Sequence, residues 1–217
     1  MSPRNLARAG IAALVALGLT GCAAKPYDYT NFRAYPPRSI LVLPPLNEST
    51  AVEATWGYLS TVTRPLAERG YYVFPVAVVD QFLKDNGLPT AGEMHQVPLE
   101  KAREILGADA VLFITVEQYG SKYQVLNSST IVAARAKLVD TRSGTLLWEG
   151  RRVWQQNSSA GQSSLIGMLV AAAVTQIIST STDAARGVSR TTNVMLFHTR
   201  EEGLLPGPYH PEYLKGQ

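Results

Sequence analysis

The sequence predicts an α/β (α+β) domain built on a mixed sheet of about five to six strands. Its first half reads as parallel βαβ, its second as an antiparallel meander. Helices flank the sheet, and a long apolar C-terminal helix follows. Three observations carry this. Short apolar runs at 39–43, 71–74 and 110–116 are separated by stretches of helical spacing, the order of strand, right-handed crossover and parallel strand. After Gly120 the apolar period falls to two, as in a sheet with one wet face. From Leu165 an apolar run of helix length begins.

The N-terminus precedes the domain. Arg4 and Arg8 form a positive region, and residues 9–19 are apolar or glycine. Small residues then lead to Cys22, the single cysteine of the chain. This order marks a cleavable export signal over residues 1–21. The run is shorter than the roughly 20 residues of a membrane span. Leu19-Thr20-Gly21-Cys22 resembles the lipobox of bacterial lipoproteins, with Leu at minus three and Gly at minus one. The resemblance implies a lipid, palmitate included, on Cys22 and a protein anchored to a membrane rather than spanning it. Ala23, not Asp, follows the cysteine. By resemblance to the enterobacterial sorting rule, this implies the outer membrane, with the domain facing the periplasm and surface exposure left open. Loss of Arg4 and Arg8 takes Lys plus Arg from 20 to 18 against 17 Asp plus Glu, so the mature chain is nearly neutral. There is no nucleic-acid footprint in that balance.

Residues 22–38 contain Pro26, Pro36 and Pro37 and read as a tether. Its aromatics Tyr27, Tyr29, Phe32 and Tyr35 either pack on the domain's own surface, the commoner case, or lie at the lipid interface. One domain is expected over 39–200 and an extended tail over 201–217. The run Ser39-Ile40-Leu41-Val42-Leu43, stopped by Pro44-Pro45, is a buried strand. Asn47, Glu48, Ser49 and Thr50 form a loop at the strand end where α/β sheets bind ligands. Residues 52–69 are helical, and Pro65 kinks that helix or begins a second one. Gly70 suits its C-terminal cap. A strand at 71–74 ends at Pro75, and a helix over 78–86 stops at Gly87. Residues 88–97 read as loop. Pro98 fits the first position of a further helix that Gly107 ends.

Residues 110–116 form the strongest strand, expected at the centre. Antiparallel strands are expected at 122–126, 130–139 and 145–154, with turns at Asn127-Ser128-Ser129 and at Asp140-Thr141-Arg142-Ser143-Gly144. Residues 157–164 are a polar loop. The run from Leu165 through Val174 to Ile178 is apolar on all sides of a helix, so it is buried in a core or against a partner. Gly167 and Ala171 form a small-xxx-small pair that permits close approach. Leu165, Ile166, Gly167, Leu169, Val170 and Ala171 are therefore candidates for an interaction surface, beside the plainer reading of a core helix. The helix continues, more polar, towards Arg190. The tail 203–213, with three prolines among Leu and Tyr, is disordered or a strap, and its Leu and Tyr content favours the strap.

No motif of catalysis is present: no phosphate-binding glycine loop, no nucleophile elbow, no HExxH. His95, His198 and His210 are far apart and carry no zinc-ligand spacing. Asp80 with Asp85, or Glu117 with Asp140, could be an acid–base pair, but nothing in the sequence positions them. Trp56, Trp148 and Trp154 are core or interface anchors more often than stacking platforms. The expectation is no catalytic residue, no cofactor and no metal.

The stretches Pro37-Arg38-Ser39-Ile40-Leu41-Val42-Leu43-Pro44-Pro45-Leu46-Asn47-Glu48-Ser49, Gly57-Tyr58-Leu59 to Pro65, Gly70-Tyr71-Tyr72-Val73-Phe74-Pro75, Val139-Asp140-Thr141-Arg142-Ser143-Gly144 and Gly207-Pro208-Tyr209-His210-Pro211 resemble bacterial outer-membrane lipoproteins of domain-of-unknown-function type 799. A second likeness runs through strands 110–116 and 130–139 to Leu147-Trp148. It is similar to curli-secretion-channel lipoproteins, Lpo-type activators of penicillin-binding proteins and the TolB N-terminal domain. These resemblances imply a mixed sheet flanked by helices and transfer no catalytic residue. With the lipobox, the missing catalytic motifs and the apolar run from Leu165, the expectation is a non-enzymatic module that self-associates and assembles with envelope lipoproteins such as a curli-channel-like protein. The alternatives are a regulator docking on a peptidoglycan synthase and, lowest, a hydrolase using Asn47 and Glu48.

Overall fold

The computed structural model describes residues 26–124, 127–157 and 182–213. The strands are β1 (Ser39–Val42), β2 (Leu46–Asn47), β3 (Tyr72–Val73), β4 (Ala110–Gln124), β5 (Asn127–Asp140) and β6 (Leu146–Asn157). They form one mixed sheet in the order β3-β1-β4-β5-β6, with the short β2 also on β4. β1 is parallel to both β3 and β4, whereas β4, β5 and β6 are successively antiparallel. The helices are α1 (Thr30–Ala34), α2 (Ala54–Leu59), α3 (Thr63–Glu68), α4 (Val76–Asp85), α5 (Ala91–Met94), α6 (Leu99–Leu106) and α7 (Thr182–His198). The expected apolar helix from Leu165, and the loop before it, lie outside the described residues.

Two apolar layers sandwich the sheet. Ile40 and Val42 of β1, Ala110, Leu112, Ile114 and Val116 of β4, and Val132, Ala134, Ala136 and Leu138 of β5 face a layer closed by α2, α3 and α7. Leu41, Leu43 and Val111 face the other, under α4, α5 and α6. β4 is thus buried on both faces, which explains its unbroken Val-Leu-Phe-Ile run. Past the helical cover the second face of β5 reaches water at Arg135 and Lys137, which produces the period-two pattern.

The differences from expectation have local causes. β4 runs on through residues 122–124 instead of breaking at Gly120. A bulge between Val116 and Gln118 resets the alternation, so that Tyr119, opposite Val132, returns to the first layer. A second irregularity, in the pairing of β5 with β6, lets the consecutive side chains Leu147 and Trp148 both enter that layer. Pro65 lies in the first turn of α3, where its missing amide costs no helical hydrogen bond, so residues 52–69 form two helices. Pro98 caps α6 from outside its first turn. Residues 88–97, read as loop, contain α5, fixed by a capping box in which Thr90 and Glu93 bond each other's backbone amides.

The tail is a strap on its own chain. Gly207 N donates to Arg69 O at 2.8 Å, Tyr209 N to Gly70 O at 3.1 Å, and Arg69 Nε to Leu204 O at 2.6 Å. Two glycines make this crossing possible. Gly70 has φ +86°, and a Cβ on either Gly70 or Gly207 would strike the other segment's backbone. Replacing Gly207 by Ala is expected to lower stability by about 1–3 kcal/mol through this overpacking. Trp148→Ala, which removes the largest fully buried side chain, is expected to cost about 3–5 kcal/mol. Both should appear as a lower urea midpoint with an unchanged slope.

Candidate functional site

The leader is fastened to the domain before β1 begins. Phe32 is buried and Tyr29 nearly so, and the Tyr27 and Tyr29 rings lie 4.7 Å apart. Tyr29 donates to Gly203 O at 2.5 Å, and burial pushes its hydroxyl up to about 12, so it remains a donor at any ordinary pH. Tyr27 accepts from the Glu149 amide of β6 at 2.8 Å, and Asn31 Nδ2 donates to Leu146 O at 3.2 Å. These contacts occupy groups at the start of an edge strand that would otherwise be open to pairing. Leader and strap meet through Tyr29 and Gly203, and the neighbouring Glu202 O accepts from the Trp148 indole N–H at 2.7 Å. A cleft of about 300 Å³, of mixed polarity, opens between Tyr27, Arg152, Leu196 and Glu202.

A charged surface covers the open face of β4, β5 and β6. Arg135 bonds Glu48 at 2.6 Å, Arg151 bonds Glu117 at 2.8 Å, and Arg135 lies 3.8 Å from Glu117. Lys137 lies 4.0 Å from Glu149. Trp154 and Val153, 36% and 43% exposed, continue β6 beyond the leader's cover. A second cavity, about 330 Å³, lies in the other layer between α4, α6 and the sheet.

Of the residues weighed for catalysis, Glu48 and Glu117 share Arg135, and the others are engaged separately. Asn47 closes its own loop, accepting from Ser49 N at 2.9 Å and donating to Ala51 O at 2.7 Å, while Glu48 turns to Arg135. Asp80 pairs with Lys84, and Asp85 accepts from Gln81. Asp140 holds the β5–β6 turn through the amides of Arg142 and Ser143. His95 and His198 donate to the carbonyls of Pro44 and Pro65, and His210 accepts from the Glu212 amide. Trp56 lies under the Lys84 ammonium, 4.7 Å from its ring centre. Among the described residues no cluster of three or more His, Cys, Asp or Glu could hold a metal ion, and no helix is long and apolar enough to cross a membrane. Cys22 and Leu165, Ile166, Gly167, Leu169, Val170 and Ala171 all lie outside the described residues. Sequence reasoning missed the leader's bonds to β6 and the larger cavity. The signals were present: aromatics in a proline-rich leader, and Thr90-x-x-Glu93 placing a helix inside an assumed loop.

The features define a class: a mixed α/β domain whose leader and tail are stitched to one end of the core. The chain belongs to the GNA1162-like lipoprotein family, described as "Putative lipoprotein GNA1162-like", which matches residues 27–209. The match shows the lipoprotein family and does not confirm the type-799 number. The Neisseria meningitidis serogroup B lipoprotein NMB1124/NMB1162 is 47% identical over 201 residues, covering 92% of this chain and 94% of that one. The crystal structure of lipoprotein GNA1162 from Neisseria meningitidis is similar over 65% of this chain and 99% of that one, at 52% identity and a TM-score of 0.54. The PelC dodecamer from Paraburkholderia phytofirmans is also similar, at 17% identity over 73% of this chain and 84% of that one, with a TM-score of 0.44. So is the LpoB C-terminal domain from Salmonella enterica, at 18% identity over 66% and 94%, with a TM-score of 0.40.

Two outcomes follow from this geometry. The Arg135 bridges are half exposed, so Arg135→Ala is expected to change the urea midpoint by less than about 1 kcal/mol in stability. Burial lowers the His95 imidazole below its ordinary 6.5, opposed by the bond to Pro44. As pH falls through that value the unfolded chain takes up the proton first, so stability falls with acidification. His95→Gln is expected to flatten the part of the decline between pH 7 and pH 5 that this imidazole causes, measured by urea titration at each pH.

Proposed function

We propose that this chain is a lipid-anchored envelope protein, acylated on Cys22 after removal of residues 1–21. It acts without catalysis as an assembly module on the periplasmic side of the outer membrane. The observation that carries the reading is the pairing of Leu19-Thr20-Gly21-Cys22 with a family match that starts at residue 27, five positions on. Export signal, acceptor cysteine and domain follow one another in the order lipid anchoring needs. The absence of a catalytic motif in the sequence supports an interaction role, as does the engagement of Asn47, Glu48, Asp80, Asp85, Glu117 and Asp140 in loop, helix and surface contacts. The partners are a second copy and an envelope lipoprotein of the curli-secretion-channel-like kind. The surface for them is the apolar run containing Leu165, Ile166, Gly167, Leu169, Val170 and Ala171. Two small residues four apart in that run suit close packing.

Labelled palmitate tests the anchor. The wild-type chain is expected to take up label and sediment with membranes. Cys22→Ser is expected to take up none and to remain in the soluble fraction. Unlabelled wild type that is soluble all the same would end the reading. For assembly, the solution mass of the Cys22→Ser chain should exceed that of a monomer, and Gly167→Ile with Ala171→Ile should reduce it. Strict monomers that crosslink to no envelope lipoprotein would refute the assembly role. Enrichment of a penicillin-binding protein instead would favour the synthase-docking alternative.

A further inference from the structure

The two apolar layers are not closed to the same degree. In the α2–α3–α7 layer nearly every apolar side chain is buried. Under α4, α5 and α6, Phe82, Leu88, Val97, Leu99, Leu106 and Phe113 are only partly covered. They line the cavity of about 330 Å³, whose floor is Leu41, Leu43 and Val111 on the sheet. The cavity is open to solvent on one side, so a ligand can enter it, and covering its apolar walls removes them from water. Its volume lies at the lower end of ligand pockets, about 300–1,000 Å³, which suits one narrow chain.

The lining is divided by polarity. Its four polar members, Asn86, Glu93, Gln96 and Lys101, are all exposed at the rim, and every deeper residue is apolar. Asn86 donates to Phe82 O at 2.7 Å, and the Glu93 carboxylate is held by Thr90. Lys101 is the rim's cation. Its partner Glu104 lies one turn on at 2.9 Å, with both side chains 61% exposed, so exchanging that carboxylate for another costs little. A deep apolar wall, aliphatic but for Phe82 and Phe113, with the Lys101 cation at the mouth and the Glu93 carboxylate already bonded to Thr90, matches an amphiphile with an anionic end and offers a polar ring nothing to bond inside.

We propose that this cavity binds a single aliphatic chain bearing a terminal carboxylate, the chemistry of a fatty acid, with the tail against Leu41, Leu83 and Val111 and the carboxylate at Lys101. The site is separate from the anchor: it lies across the sheet from Tyr27 and does not depend on Cys22.

Dodecanoate below its micelle concentration tests this on the full mature chain carrying Cys22→Ser, by isothermal titration calorimetry and native mass spectrometry. One-to-one, saturable binding is expected. Ala102→Phe, which fills the cavity, should abolish it. Ile105→Asp, at an exposed rim position that the fold does not depend on, should weaken it at least about tenfold. Val78→Asp, equally exposed but outside the lining, should leave it unchanged. Lys101→Ala should weaken dodecanoate about tenfold, the loss of one charge-assisted contact, and leave dodecanol unaffected. No saturable binding would overturn the proposal, and would be the result if residues 165–174 or an apolar protein segment filled the cavity instead. Binding that survives both Ala102→Phe and Ile105→Asp would overturn it as well. Equal affinity for dodecanol and dodecanoate would overturn the assignment of Lys101.

Discussion

The structure depends on β4 being buried on both faces while paired on both edges. Its backbone is satisfied by parallel β1 and β2 on one side and antiparallel β5 on the other. Its side chains alternate between two separate apolar layers. A strand so placed tolerates no one-residue slip, because a slip would exchange the two sets of side chains. The bulge at Glu117 is the exception that preserves the rule. It inserts one residue where the second layer ends, so Tyr119 stays inside while the Glu117 carboxylate reaches Arg135 and Arg151 on the wet face. Fold and charged surface therefore share one backbone irregularity.

The mixed sheet makes the two layers unequal. Parallel pairing on one side needs crossover helices; α2 and α3 lie on the first face, and α4 to α6 on the second, where they cover only β1 and the first half of β4. β5 and β6 are joined by a tight turn, and among the described residues no helix covers that face at Arg135 and Lys137, which are exposed and salt-bridged. Within the covered half, α5 is only Ala91–Met94 and α6 only Leu99–Leu106. Short helices leave gaps where long ones would close, and the cavity lies in such a gap. On the other face α7, seventeen residues long, crosses β4, β5 and β6 and seals its layer with Val188, Leu196 and Phe197.

What the sequence made legible follows periodicity. The strand at 39–43, the central strand, the β5–β6 turn and the strap nature of the tail all carry local signals: apolar runs, period two, Gly144 at φ +69°, Leu and Tyr among prolines. β2 was not legible, because two residues between Pro45 and Glu48 carry no period, and only tertiary pairing with Thr115 and Val116 makes them a strand. The bulge hid the length of β4 by switching the alternation midway. Among candidate site residues, identity was readable and position was not. Glu48 does lie in the loop expected after the first strand, whereas Asn47 ends β2, and whether they aim outward or fold onto Ala51 and Arg135 depends on contacts up to 87 residues away.

The docked leader limits how the domain can sit on its anchor. Tyr27 is held by the Glu149 amide and by the Tyr29 ring, and Cys22 precedes it by five residues. Five extended residues reach at most about 18 Å. If Cys22 carries the lipid, the start of β6 and the strap around Glu202 stay close to the headgroup layer, not at the end of a long flexible arm. The aromatics of residues 27–32 then hold the domain to its anchor and fix the end it presents to the membrane. Trp148 is where that constraint enters the core, since its indole bonds the strap while its rings pack on Phe197 at 5.8 Å. The cavity opens in the layer beyond the sheet, and a bound amphiphile there would not compete with the anchor for the same surface. An anchor that only retained the protein could attach anywhere on a loose tether; one stitched to the central layer through Tyr27, Tyr29 and Trp148 also sets which surfaces remain free for partners.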